Sequence, residues 1–293
     1  MAKNSIAICM GLNSVDPDKY NNWFGKLKAC EADAQTMSGI ATAAGFSKVT
    51  LLLTNEATRD RYFGELKSAA SILESGDIFM LSYSGHGGQM PDLNGDEEDG
   101  EDETWCLYDG EVVDDETFSA LKEFKKGVRI IAFSDSCHSG SSLKQKIMKL
   151  FYNLNLNQKP SLFEKIAENN ESASQNIAFK AMPSEISNSV YDKFKNFYDP
   201  ILLNPKIAKA KDNIQASVYY FGACQDNQLA RDGTFNSVFT AHLRAIWNAG
   251  KFSGNYTAFS KALRNGMPPD QTPRFQRLGL SDVAFLNQKP FTV

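Results

Sequence analysis

Two short stretches of this chain combine a nucleophile, a proton carrier and glycines. One reads Ser84-Gly85-His86-Gly87-Gly88 and the other Asp135-Ser136-Cys137-His138-Ser139-Gly140. A thiolate attacks a carbonyl carbon, an imidazole manages the protons, and a glycine-flanked backbone N–H can meet the oxyanion that forms. Acyl transfer through Cys137 and His86 is therefore the chemistry these residue types offer. His138 is a poor candidate for the base, because neighbours at a strand end point in different directions. His242 falls in a predicted helix and reads as structural, and Cys9, Cys106 and Cys224 read as core or strand residues.

The two stretches have to be brought together, and the sequence shows how. Each follows an apolar run, Ile78–Tyr83 and Val128–Phe133, that suits a strand covered on both faces. Further strands are predicted at Ile6–Met10, Val49–Leu53, Ala216–Phe221 and Val283–Leu286. Between the early ones, Leu27, Cys30, Ala34, Met37, Ala41 and Ala44 recur at helical spacing, with Gly45 placed to stop that helix. Thr58 can cap a second helix running to Leu73, with Gly76 to close it. Ser237–Trp247 and Tyr256–Leu263 read as amphipathic helices. Alternating strands and helices predict a mostly parallel α/β sheet, in which sites assemble at the carboxyl ends of the strands.

Composition narrows the class. The 293 residues are 42% hydrophobic and 23% charged, as in an ordinary globular protein. No apolar run approaches the roughly 18–20 residues of a membrane helix, and no signal peptide is read. Five cysteines without paired spacing suggest reduced thiols and a cytoplasmic location. The net charge of −4 conceals 13 acidic residues between Asp92 and Glu116, while the rest carries 31 basic and 22 acidic side chains. Asp92, Asn94, Asp96, Glu98 and Glu103 follow the ligand order of an EF-hand loop, but Glu97 stands where its glycine is needed. Residues 144–213 hold 11 lysines and no arginine, with short amphipathic patches such as Tyr191, Phe194 and Tyr198, and read as a helical or mobile insertion. No nucleotide-binding loop, zinc spacing or basic-aromatic nucleic-acid patch occurs, so no organic cofactor, nucleic acid or membrane partner is expected.

The two glycine-flanked motifs resemble the dyad motifs of metacaspases and bacterial orthocaspases, within the caspase-like cysteine peptidases. Their 51-residue separation suits an upstream histidine. The resemblance continues at Leu27–Asp33, along the acidic stretch through Asp114-Asp115-Glu116, and at Gly222-Ala223-Cys224-Gln225-Asp226-Asn227-Gln228. It implies a single caspase-like α/β domain: residues 1–143 as the large-subunit-like part with the dyad, 144–213 as the lysine-rich insertion, and 214–293 as the small-subunit-like part. It implies Cys137 as nucleophile, His86 as general acid and base, and Gly87 and Cys137 as backbone donors to the oxyanion.

The implied activity is a cysteine endopeptidase cutting after Arg or Lys. Its acidic S1 pocket would be formed by Asp33 and Asp135, with Cys30 and Ser84 as neighbours. Paired carboxylates suit a guanidinium or ammonium and repel an acidic side chain. The resemblance also implies calcium ligands at Asp102, Asp114 and Asp115, although Lys144 stands where the family carries a further aspartate. A monomeric zymogen that processes itself within 144–211 is expected, the lysine-rich stretch being read as exposed substrate. Two rivals accompany this reading: a peptide ligase, in which an amine outcompetes water at the thioester, and a peptide-binding scaffold without turnover.

Overall fold

The computed structural model describes residues 4–95, 97, 100–136, 178–224, 230–233, 235–268 and 271–293. Among these, a six-stranded sheet forms the centre. It comprises β1 (Ser5–Gly11), β2 (Lys48–Leu53), β3 (Ile78–Ser84), β7 (Arg129–Asp135), β8 (Ser217–Gly222) and β9 (Arg274–Gly279). The order is β2-β1-β3-β7-β8-β9, and every pairing is parallel except that of β8 with β9. A second, antiparallel sheet is built from β4 (Gly87–Pro91), β5 (Glu101–Leu107) and β6 (Gly110–Val113). Part of the acidic stretch thus lies in this small sheet, where Asp102 and Glu111 are buried.

The apolar strands create two cores. Successive side chains of a strand point to opposite faces. Ala7, Cys9, Ile131 and Phe133 accordingly join one cluster, while Ile6, Ile8, Met10, Ile130 and Ala132 join the other. The first face is covered by α1 (Cys30–Ala43) and by two later helices at Val238–Trp247 and Tyr256–Asn265. The second face is covered by α2 (Arg59–Ile72) and α3 (Asp114–Leu121). α4 (Ser184–Leu202) packs beside β4 through Tyr191, Tyr198 and Leu202.

The predicted strands β1, β2, β3, β7 and β8 are all present. Thr58 caps α2, its hydroxyl accepting from the Arg61 N–H. Leu73 rather than Gly76 ends that helix, because Gly76 lies further on, in the turn before β3. Leu27 precedes α1, which starts only at Cys30. Val283–Leu286 is a short helix capped by Asp282, not a strand; four apolar residues carry no distinguishing period. The last strand is β9 instead, whose Arg and Gln residues hid it from a search for apolar runs.

Strand register places the site. Gly11, Ser84 and Asp135 are in-register neighbours at the carboxyl ends of β1, β3 and β7. A side chain at position 11 would collide with the Cys30 carbonyl oxygen, so glycine there lets α1 start directly against the sheet end. That close approach brings Asp33, in the first turn of α1, next to Ser84 and Asp135.

Candidate active site

Asp33, Ser84 and Asp135 form one buried acidic pocket. The Ser84 hydroxyl donates to Asp33 Oδ2 at 2.7 Å. Asp33 Oδ1 accepts from the Ser237 N–H at 2.9 Å and from Asn236 Nδ2 at 3.0 Å. Asp135 Oδ2 accepts from the hydroxyls of Thr240, at 3.0 Å, and Ser237. Each carboxylate is therefore aimed by donors from the start of the Val238–Trp247 helix, about a hundred residues or more away in sequence. Ser237, Asn236 and Thr240 are pocket residues that sequence reasoning missed. Ser237 was visible only as a helix start, a position where serine is common anyway.

Lys180 occupies this pocket, and its side chain is 0% exposed. Its ammonium lies 3.0 Å from Asp33 Oδ2, 3.2 Å from Asp135 Oδ1 and 2.8 Å from the Ser84 hydroxyl. Burial alone would lower the lysine pKa, but the two carboxylates outweigh it and hold the ammonium well above its ordinary range. Burial raises the Asp135 pKa, with Lys180 opposing and Asp33 reinforcing that rise. Two carboxylates around one ammonium leave the pocket one negative charge in excess, which keeps the lysine charged. Lys180 belongs to the lysine-rich segment that was expected to be exposed; this residue at least is a core residue.

The backbone around Lys180 is held as firmly. The Gly87 N–H donates to the Lys180 carbonyl at 3.0 Å, and the Met182 N–H donates to the Gly87 carbonyl at 2.7 Å. On the other side, the Lys180 N–H donates to Ala230 O at 3.1 Å and the Asp232 N–H to Ala178 O at 2.9 Å. Phe179 and Arg231 thereby form an antiparallel bridge, and Ala181 bridges Gly87 in parallel.

His86 sits in the loop between β3 and β4, directly before Gly87. Tyr83 braces that loop, its hydroxyl donating to the carbonyls of His86, at 2.7 Å, and Cys106, at 3.1 Å. The Tyr83 ring stacks on Trp105 with centroids 4.6 Å apart. His86 Nε2 lies 3.1 Å from the Gly25 carbonyl. A carbonyl only accepts, so Nε2 carries the proton and Nδ1 presents its lone pair. Gly25 has φ +51°, and a side chain there would press on Trp23 and on the His86 ring. Trp23 packs 4.6 Å from the imidazole.

Burial pulls the His86 pKa down to about 4, with Lys180 adding to the fall and the backbones of Gly25 and Ala181 opposing it. At neutral pH the ring is an uncharged base. The unfolded chain protonates this imidazole near pH 6.5 and the folded chain only near 4, so stability is full above 6.5 and is lost as pH falls toward 4. The loss attributable to His86 amounts to about 3 kcal/mol. Urea denaturation at pH 7 and at pH 4.5 measures it, and His86→Gln should be less pH-sensitive than the wild type over that interval. Equal sensitivity in both proteins would contradict the assignment.

Ser136 leads out of β7 toward the second dyad motif. Its hydroxyl shares a 2.8 Å hydrogen bond with Ser134, which accepts from Trp105 Nε1 at 3.1 Å. Cys137 follows directly and lies, with His138, outside the described residues. The four described cysteines are all buried free thiols. Cys9 and Cys30 are buried, which pushes both up to about 12, and Cys106 is raised further by burial and by Glu111. Cys30 lines the acidic pocket as a neutral wall. Cys224 is buried after β8, its thiol directed at the Ser136 carbonyl at 3.6 Å. His242 lies on the Val238–Trp247 helix.

Asp102 lies on β5, and Asp114 and Asp115 open α3. They are neighbours: burial raises the Asp114 pKa well above the usual carboxylate range, and Glu103, Asp115 and Asp102 reinforce the rise against Lys211. Among the described residues, no three such side chains converge as metal ligands do. Asp92 binds its own loop, accepting from the N–H groups of Asn94, Gly95 and Glu97.

The family model for the metacaspase peptidase C14 domain matches residues 7–146. Metacaspase-1 of Eremothecium gossypii is 26% identical over 264 residues, covering 81% of this chain and 54% of that protein. Metacaspase-1 of Schizosaccharomyces pombe is 26% identical over 253 residues, covering 81% and 57%. The chain thus spans just over half the length of these two relatives. The crystal structure of protein GSU0716 from Geobacter sulfurreducens is 44% identical, covers 99% of both chains and superposes with a TM-score of 0.82. Caspase-1 from Spodoptera frugiperda, at 12% identity and a TM-score of 0.50 over 94% of this chain and 86% of its own, shares the fold. The chain thus shares the caspase-like fold, and its residues 7–146 are similar to the metacaspase peptidase C14 domain.

Proposed function

We propose that this protein is a cysteine endopeptidase that cleaves peptide bonds after Arg or Lys. The observation that carries the reading is Lys180 itself: a basic side chain seated between Asp33 and Asp135, with its carbonyl on the Gly87 N–H. A guanidinium fits the same carboxylate pair. In the proposed reaction, Cys137 attacks the carbonyl carbon after His86 Nδ1 takes the thiol proton, and the Gly87 N–H stabilises the oxyanion. His86 then protonates the leaving amine and later activates the water that releases the acyl group.

The test is hydrolysis of matched fluorogenic peptides ending in Arg, Lys or Asp, with wild type and Cys137→Ala side by side. Cleavage after Arg and Lys that vanishes in the variant is expected. Cleavage after Asp alone would overturn the pocket assignment, and product formed with an added amine in place of water would turn the reading toward a ligase.

Calcium belongs to the same proposal. Asp102, Asp114 and Asp115 offer the hard oxygen donors that ion takes, but they do not converge as they stand, so binding would have to draw them together. Added calcium, but not magnesium, is expected to raise the melting temperature of the wild type and not that of Asp102→Ala. A monomer is also proposed. The outer strand β9 carries Arg274 and Arg277, and two such edges paired antiparallel would bring like charges together. No described helix is long and apolar enough to cross a membrane, and the four described cysteines are free thiols, which supports a reducing, cytoplasmic compartment.

A further inference from the structure

Glu111, on β6, is fully enclosed, at 0% exposure. Its side chain reaches over β5, where the Thr104 hydroxyl donates to Oε2, and ends against Gly88 of β4. A Cβ at position 88 would lie 2.5 Å from Glu111 Oε2, 2.7 Å from the Met182 methyl and 2.8 Å from the Thr104 hydroxyl oxygen. The second glycine of the first motif is therefore the floor on which this carboxyl rests. Its neighbour Gly87 carries the N–H assigned to the oxyanion.

The surroundings decide the charge of Glu111. Oε1 has no hydrogen-bond partner among the described residues. Among those residues no ion pair is made to the carboxyl either. Arg59 of α2 directs its guanidinium to Glu116, at 2.7 Å, and to the backbone carbonyl of Glu111. Tyr198 of α4 accepts from the Glu111 N–H at 2.9 Å. Tyr198, Cys106 of β5, Tyr83 of β3 and Tyr20 of the loop before α1 are all kept neutral by burial. An enclosed carboxylate without a paired cation is costly, so the group is held as the neutral acid. Burial lifts it to about 8, with the Thr104 hydrogen bond and the Arg59 charge opposing that rise.

We propose that Glu111 is a positioning residue that works as a neutral acid: protonated, it seats the Gly87–Gly88 strand and so aims the Gly87 N–H, and ionised, it unseats that strand. The consequence for catalysis rests on the peptidase reading above. On ionisation the proton leaves to solvent and a full charge remains against Gly88, with the single Thr104 hydroxyl as its donor. Relief comes only from water, which has to part β4 from Thr104 and Met182 to enter. Gly88 pairs with Thr104 and Gly87 with Trp105, so the displacement reaches the oxyanion donor within one residue. A glutamine would fill the same volume and meet Thr104 as well, with no charge to gain.

The test begins with hydrogen exchange over residues 84–91 in full-length wild type and Glu111→Gln. The two proteins should exchange alike at pH 6.5. At pH 9 wild type should exchange faster there, while residues 129–135 of β7 stay alike in both. Kinetics follow in the Lys180→Ala chain, whose pocket is free, on an Arg-ending peptide that keeps its charge over this range. Between pH 7 and pH 9 kcat should fall about tenfold, with KM little changed, and adding Glu111→Gln should remove the fall. Thr104→Val leaves the acid in place but removes the bond that favours its charged form, so the fall should move to higher pH. An alkaline fall that persists with Glu111→Gln, or one that Thr104→Val leaves in place, would overturn the inference and leave the peptidase reading intact. Equal exchange over residues 84–91 in both proteins at pH 9 would do the same. If no peptide is hydrolysed at any pH, the peptidase reading fails, and faster exchange in wild type at pH 9 would still establish the hold of Glu111 on the strand.

Discussion

Asp135→Asn, introduced into the Lys180→Ala chain so that the pocket is free, lowers kcat/KM for Arg- and Lys-ending peptides by about 30- to 3,000-fold. The range is what removing one partner of a buried charge pair costs, ~2–5 kcal/mol, read at about 1.4 kcal/mol per tenfold. Asparagine keeps the shape, and the hydroxyls of Ser237 and Thr240 that donate to Asp135 can rotate to accept from the new amide. The fold should survive, and the loss should fall on substrate binding, raising KM more than it lowers kcat. Steady-state kinetics on matched peptides measures it. A variant with unchanged kcat/KM would show that Asp33 alone selects the basic residue. The same logic predicts weaker selection toward acid pH, because the raised Asp135 carboxyl takes up its proton earlier than an ordinary aspartate.

His86→Ala, in the same background, lowers kcat by about 10²- to 10⁴-fold, the usual share of a positioned acid-base group. KM should change little, since the pocket contacts run through Asp33, Ser84 and Asp135 instead. Removing the ring also removes a titrating group from the site, so the acid limb of the pH profile should shift or disappear. A variant with full kcat would remove His86 from the mechanism. A variant with normal kcat and a raised KM would recast it as part of the binding surface, against which the Trp23 ring already packs.

The sheet was legible because its strands are apolar on both faces, and the period-2 alternation within Ile78–Ser84 and Arg129–Asp135 divides those side chains between two cores. The dyad motifs were legible as glycine-flanked polar residues at strand ends, and Asp33 and Asp135 only through resemblance to a family. The rest was hidden for physical reasons. β9 is half-exposed and reads Arg-Phe-Gln-Arg-Leu-Gly, so its pairing with β8 left no apolar signature. Ser237, Asn236 and Thr240 act on Asp33 and Asp135 across more than a hundred residues of sequence, and hydroxyls and amides of that kind occur throughout the chain. Lys180 was one of 11 lysines in its segment, and nothing in its neighbours distinguishes the one that folds inward. Gly25 supplies a carbonyl to His86, a role that depends on backbone position and not on residue type.

The order of strands decides what a cut within residues 144–211 would leave behind. β1, β2, β3 and β7 precede that stretch, while β8 and β9 follow it, and β8 is bonded along its length to β7 in the interior of the sheet. The two pieces would share one sheet and both of its cores, so they would not part. A denaturing gel would show two bands where gel filtration shows one peak of unchanged size. The cost would appear in reversibility. A chain that folds alone as one piece would have become a two-chain assembly, so its melting temperature would rise with protein concentration and its refolding would slow on dilution.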